Sequence, residues 1–261
     1  MVLKQRQQQV FQWIQREGYA TVEALAEQFC VTPQTMRRDI NTLCDQGLLA
    51  RYHGGASLPP SSVENIAYPA RQVMNLEGKQ RIAQLVARYI PNDASLFINI
   101  GTTTEEVAKA LLHHRGLRVV TNNLHVAVIL CPNSSFEVII AGGLVRHRDR
   151  GIVGEATLDF INQFKADFGI IGISGIESDG ALLDFDYREV RVAQAIIANS
   201  RKVLLVADHS KFNRNAMVRL GDLSQVDHLF TDHPLPEDMA PVLAACQTSV
   251  HVADAEGLPQ L

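Results

Sequence analysis

Three uninterrupted apolar runs constrain this chain more than any other feature: VIIAG at 138–142, FGIIGIS at 168–174 and VLLVAD at 203–208. A strand with one wet face alternates apolar and polar residues, whereas a strand covered on both faces reads as a continuous run. These runs are preceded by helical stretches around 79–89 and 105–113 and by shorter strands at 95–100 and 117–121. Together they predict an open, mainly parallel α/β sheet. Ligands of such sheets gather beyond the carboxyl ends of the strands, so the residues after each run are where chemistry is to be sought.

After the first strand come Gly101, Thr102, Thr103 and Thr104, leading into a helix. Backbone N–H groups at a helix start, a glycine and hydroxyl donors are able to cradle a phosphate, although the same residues also make an ordinary helix cap. The stretch has no GKS or GKT and is not a Walker loop. Asn122 and Asn123 follow the second strand, Gly142 and Gly143 the third, and Gly172, Ser174 and Gly175 a later one. Asp179-Gly180 is a turn pair, Asp184, Asp186 and Glu189 add carboxylates, and the last long strand runs into Asp208, His209, Ser210 and Lys211. Each has a local structural explanation, but their recurrence at successive strand ends matches a small polyol or sugar phosphate: N–H groups and a cation for the dianion, amides and carboxylates for hydroxyls. Arg146, Arg148 and Arg150 offer either a second anion site or a basic hairpin facing solvent.

The first 60 residues obey a different pattern. A helix over 2–17 turns Val10, Phe11 and Ile14 inward and ends at Gly18, and a second starts after Thr21 with Val22, Leu25, Ala26 and Phe29 as its stripe. Three residues later TPQTMRRDIN begins a third, capped by Thr32, with Pro33 at its first position and Gly47 beyond its end. Met36, Ile40 and Leu43 share its inner face; Gln34, Thr35, Arg37 and Arg38 are left outside as groups able to read base edges or pair with phosphate. This is a helix-turn-helix. The following LLARYHGGAS suits a wing, a short hairpin carrying Arg51 and His53 beside the recognition helix. Residues 58–75, with Pro59, Pro60 and Pro69, read as a linker, which gives three parts: a winged helix-turn-helix over 1–57, the linker, and an effector-binding α/β domain over 76–261.

The net charge of −4 is unevenly spread, for residues 1–60 carry six basic against five acidic side chains and the remainder a net of −5. A local basic surface suffices for DNA, so the acidic total is a weak objection. Cys30, Cys44, Cys131 and Cys246 are far apart without zinc spacing, and read as reduced thiols; no metal or cofactor is expected. No run is long enough to span a membrane and MVLKQRQQQV lacks a signal-peptide core, so a cytoplasmic protein is expected.

The succession TVEALAEQF, VTPQTMRRDINTL and GLLARYHGGA resembles the DNA-binding signature of the DeoR family of bacterial transcriptional regulators. GTTTEEVAKAL, VVTNNLHVA, GEATLDFI, GISGI and ADHSKF resemble the effector domain of the same family, whose fold is similar to ribose-5-phosphate isomerase and coenzyme A transferases. The resemblance spans about residues 4–250 and implies a repressor that binds operator double-stranded DNA as a homo-oligomer, dimer or tetramer, and responds to glycerol 3-phosphate or a related sugar phosphate. It places Thr32, Pro33, Gln34, Thr35, Arg37, Arg38 and Asp39 on the recognition segment, with Asp39 holding an arginine rather than touching phosphate. Gly101, Thr102, Thr103 and Lys211 would meet the effector phosphate, and Asn122, Asn123 and Glu189 its polyol end. Two other readings remain: a sugar-phosphate isomerase, since the second domain resembles one, and an activator with the same two domains.

Overall fold

The computed structural model describes residues 3–52, 54–59 and 61–253. The chain divides into two compact units, 1–75 and 76–261, each with its own core.

In the first unit α1 (Gln5–Glu17) is followed by β1 (Tyr19–Thr21), α2 (Val22–Gln28) and α3 (Pro33–Asp45). The sequence sets the helix starts as expected: the Thr21 hydroxyl accepts the Ala24 N–H at 3.1 Å and the Thr32 hydroxyl that of Thr35 at 3.2 Å. Val10, Ile14, Leu25, Met36, Ile40 and Leu43 are buried together, with Phe11 and Phe29 only partly covered. Then β2 (Ala50–Tyr52) and β3 (Gly55–Ser57) form an antiparallel hairpin, and β1 pairs with β3, so the sheet order is β1-β3-β2. Gly55 is required here because a Cβ would run into the Ala20 carbonyl. The stretch read as a linker carries a helix, α4 (Tyr68–Val73), with Ala70 buried and the methyls of Ala67 and Ala70 lying against Gly18 at the end of α1. Pro69 does not interrupt that helix, because it occupies the first turn, where no backbone N–H is needed.

The second unit opens with α5 (Leu76–Tyr89), β4 (Ser95–Ile98), α6 (Thr102–Ala110), β5 (Arg118–Thr121), α7 (Leu124–Leu130) and β6 (Glu137–Ile140). A small hairpin, β7 (Leu144–Val145) and β8 (Ile152–Val153), leads to α8 (Glu155–Ile161) and β9 (Ala166–Gly172). Next come β10 (Gly175–Ile176), β11 (Ala181–Asp184), α9 (Tyr187–Ala198), β12 (Ser200–Val206) and β13 (Val218–Asp222). The last elements are β14 (His228–Thr231), α10 (Ala240–Ala245) and β15 (Ser249–Val252). Seven strands make one sheet in the order β15-β14-β12-β9-β4-β5-β6, every neighbouring pair parallel. Its two faces are filled by separate apolar clusters, one around Phe97, Ile171 and Leu205 and the other around Leu96, Ile98, Ile170 and Leu204, as the period of two requires. Of the three runs that predicted a doubly covered sheet, β9 and β12 lie inside it, whereas the first is β6, the edge strand, whose residues are only half-buried or exposed because no further strand lies beyond it among the described residues. A small antiparallel sheet, β10-β11-β13, stands apart from it, with Asp179-Gly180 as the β10–β11 turn. No helix among the described residues is long and apolar enough to cross a membrane.

Candidate DNA interface and effector site

On α3, Gln34, Arg37 and Arg38 are exposed and Thr35 half-buried, opposite the buried Met36, Ile40 and Leu43. Not all of this face is free to search for a base. Thr32 is held as the cap and its hydroxyl lies 3.0 Å from that of Thr35, while Arg37 Nη2 lies 3.3 Å from Glu23 Oε1 of α2. That pair is solvated on both sides and holds weakly. Arg38 makes no ion pair among the described residues. Asp39 is buried: its two oxygens accept Arg6 Nε at 2.6 Å and Gln7 Nε2 at 3.1 Å, fastening α3 to α1. Arg51 is exposed on β2 and acts on the Cys44 thiol, whose pKa burial nevertheless pushes up. His53 lies outside the described residues.

In the second unit, sheet order does what spacing alone does not. The residues after β12, β4 and β5 line one carboxyl edge, and with strands about 4.8 Å apart the β12 and β4 ends lie roughly 10 Å from each other across β9. Gly101 and the buried Thr102, Thr103 and Thr104 open α6, whose first N–H groups are left without partners inside the helix. Thr104 Oγ1 donates back to this turn, within 2.8 Å of the carbonyls of both Asn99 and Gly101. Asn122 is wholly buried; its Nδ2 donates to the Ile152 carbonyl at 3.0 Å, but its Oδ1 has no hydrogen-bond partner among the described residues. A buried acceptor left without a donor is costly, and a ligand hydroxyl is the kind of group that relieves it. Asn123 is different. Its Oδ1 caps α7 through His125 N and its Nδ2 donates to Glu105 Oε1 at 3.2 Å, so its amide is engaged by the fold.

Glu189, near the start of α9, is ion-paired. Arg146, which spacing left as an anion site or a solvated hairpin residue, is half-buried, with its side chain only 10 % exposed, and reaches Glu189 Oε2 at 2.7 Å, Asp186 Oδ2 at 2.8 Å and Asp149 Oδ2 at 2.6 Å. Burial pushes the Glu189 carboxyl up to about 7, helped by the charge of Asp184 and opposed by Arg146. Asp186 ends below the usual carboxylate range, because the Arg146 contacts and two backbone N–H groups outweigh its own desolvation. The hairpin that carries Arg146 is tied to the strand end, since Asn122 and Ile152 exchange two hydrogen bonds and Asn123 bridges to Gly151.

At the other end of the row Asp208 is buried, and Lys211 N donates to its carbonyl at 2.9 Å. Burial raises the Asp208 carboxyl, but Lys211, Lys79 and the Ser210 hydroxyl together hold it below its ordinary value. Lys79 belongs to α5 and is itself 2 % exposed. Sequence reasoning missed it, as it missed the fourfold grouping of Arg146, Asp149, Asp186 and Glu189. A buried lysine inside an amphipathic helix is a usable signal only once its facing carboxylate is known.

Two family models match the chain: a DeoR-like helix-turn-helix domain over residues 6–62 and a DeoR C terminal sensor domain over residues 74–233. The chain belongs to the DeoR family. The Glycerol-3-phosphate regulon repressor of Escherichia coli (strain K12) is 56% identical over 239 residues, 92% of this chain and 94% of that protein. The protein of the same name from Haemophilus influenzae (strain ATCC 51907 / DSM 11121 / KW20 / Rd) is 52% identical over 245 residues, 94% of this chain and 95% of its own length. Among solved structures, the ribose 5 phosphate isomerase A of Neisseria gonorrhoeae is similar with a TM-score of 0.39 and 14% identity, covering 52% of this chain and 53% of that one. This DeoR-family chain is a DNA-binding transcriptional repressor with a sensor domain, and not an enzyme.

Proposed function

We propose that the protein represses genes of glycerol 3-phosphate use in the cytoplasm and that glycerol 3-phosphate releases it from operator DNA. The identity of 56%, spread over 92% of the chain and thus over both units, to a repressor of that regulon is the observation that carries the reading. In it, Gln34, Thr35 and Arg38 face the major groove, with Thr32 and Arg37 at its edge and Arg51 of the wing beside it; the sequence reading adds His53 to the contacting residues. The α6 start at Gly101, Thr102 and Thr103 and the cation of Lys211 take the phosphate, and the unpartnered Asn122 Oδ1 accepts a hydroxyl. Asn123 and Glu189 shape the polyol end from behind, through Glu105 and Arg146 respectively. A homo-oligomer, dimer or tetramer, presents two winged units to repeated half-sites, and the exposed Val128, Leu144 and Val145 leave apolar surface for contact between copies.

A ligand shifts operator affinity only by its own preference between the two states, and a 100-fold release needs about 2.7 kcal/mol. The test is a titration of a fluorescent operator fragment at fixed salt with glycerol 3-phosphate, glycerol and inorganic phosphate. Release by the first alone supports the reading. Tight operator binding that ignores it, but yields to another sugar phosphate, keeps the repressor and overturns the effector.

A further inference from the structure

β12 and β14 are adjacent parallel strands, paired from Leu204–His228 to Val206–Phe230, so the residues that trail them emerge side by side. His209 follows β12, and Asp232 and His233 follow β14. His209 Nδ1 and His233 Nδ1 lie 2.8 and 3.0 Å from the same atom, Asp232 Oδ2. The other oxygen, Oδ1, is fixed by the His209 backbone N–H at 2.7 Å. Asp232 is 2 % exposed, while the His233 side chain is 54 % exposed and forms the solvent side of the group.

We propose that His209, Asp232 and His233 bind a late first-row divalent metal ion, of the zinc, cobalt or nickel kind. The three ligand atoms already lie within 4.8 Å of one another. Metal–nitrogen and metal–oxygen bonds of about 2.0–2.2 Å require the present nitrogen–oxygen separations to open by only about half an ångström. In the metal-free protein the shared oxygen accepts the two Nδ1–H groups; to bind the ion each neutral ring carries its hydrogen on Nε2 instead, by exchange with water, and the dication takes the place of the two Nδ1 hydrogens. Two imidazoles with one carboxylate select this class of ion over magnesium or calcium, which prefer all-oxygen sets. The strand ends hold His209 and Asp232 in place, Asp232 is further oriented by the backbone, and exposure at His233 leaves the remaining coordination positions to water.

The surroundings set the strength. Arg81 Nη2 stands 3.9 Å from Asp232 Oδ2, and Lys79 and Lys211 act on the neighbouring Asp208, so fixed cations already balance both aspartates. The bound ion is therefore held by its coordination bonds and not by a surplus of negative charge, which makes the site weaker than a structural zinc site. A second histidine pair among the described residues serves as an internal control. His228 and His251, 3.0 Å apart, have the Tyr89 hydroxyl in place of a carboxylate.

Cobalt(II) titration of the untagged, chelator-stripped full chain tests the proposal, followed by ligand-field absorption and by calorimetric competition with zinc. One ion per chain is expected, displaced by zinc, with His233→Ala lowering the affinity at least about tenfold and His251→Ala leaving it unchanged. His233 is exposed, so its loss is borne by the fold, and circular dichroism of the variant checks this. Absence of stoichiometric cobalt binding overturns the proposal, as does a His233→Ala chain that binds as tightly as the unsubstituted one, or an equal loss in His251→Ala.

Discussion

Replacing Arg146 with alanine removes the cation that Asp149, Asp186 and Glu189 share, and leaves only the half-exposed Arg148, 3.1 Å from Asp186 and 3.9 Å from Asp149. The Arg146 side chain is 10 % exposed, and those of Asp149 and Glu189 are 2 % and 13 % exposed, so water does little to screen what is left. Breaking a buried ion pair by deleting one partner costs about 3–5 kcal/mol, since the surviving charge stays desolvated. For a unit of this size each kcal/mol moves the midpoint about 2–4 °C, so the sensor domain should melt about 6–20 °C lower at pH 8. Proton linkage fixes how that loss changes with pH. Without Arg146 the folded pKa of Glu189, already up at about 7 with the arginine present, rises further above its unfolded value. Groups shifted in that direction favour the folded state below the unfolded pKa, near 4 for carboxylates, and lose that contribution as pH climbs through the folded one. The deficit of Arg146→Ala should therefore be largest at pH 8 and shrink steadily toward pH 5. Scanning calorimetry of the full chain and variant at both pH values measures it, with the DNA-binding unit as an internal reference transition. A shift under about 2 °C at both, or the same shift at both, would refute the buried-cluster reasoning.

Other predictions concern both units. Arg38→Ala should weaken operator binding by about 1–3 kcal/mol and relax base discrimination without altering effector binding, and Arg37→Ala should do less, because Glu23 already engages Arg37; fluorescence anisotropy on operator and scrambled fragments separates them. Lys211→Ala is expected to bind operator normally and to need far more glycerol 3-phosphate for release, read in the same anisotropy assay with effector titrated in; an unchanged midpoint would remove Lys211 from the phosphate site. Gly55→Ala should destabilise the DNA-binding unit and weaken operator binding with it, because the added methyl meets the Ala20 carbonyl where β3 pairs with β1; a thermal melt matching the parent chain would contradict that packing.

Much of the fold is legible in the chain because its determinants are local. Thr21, Thr32 and Pro33 mark helix starts whichever residues surround them, and runs such as VLLVA report burial on both faces before any partner strand is known. What remained hidden depends on residues far apart in sequence. Arg146 and Glu189 are 43 positions apart, and the same RHRDRG stretch reads as a solvated hairpin until α9 is brought against it. Asn122 and Asn123 look equivalent in the chain, yet one keeps a buried oxygen unpartnered while the other is spent on Glu105 and a helix cap. The helix at Tyr68–Val73 was obscured by prolines, whose effect depends on where in the turn they fall. His233 gave no signal beside a proline until β12 and β14 were known to be neighbours.

The order of the seven strands also dictates a sequence of events in synthesis. β4 stands inside the sheet, between β5 and β9, although its partner β9 is made roughly 70 residues later, after β5, β6 and the β7–β8 hairpin. A nascent chain emerging at about 5–20 residues per second thus holds β4 with the backbone N–H and C=O groups of one edge unpaired for several seconds after β5 has docked on the other. During that interval the sheet has an adhesive border in its middle, where the finished molecule has none. Ribosome pausing between residues 140 and 166 would lengthen the exposure, while pausing after β9 has left the tunnel would not.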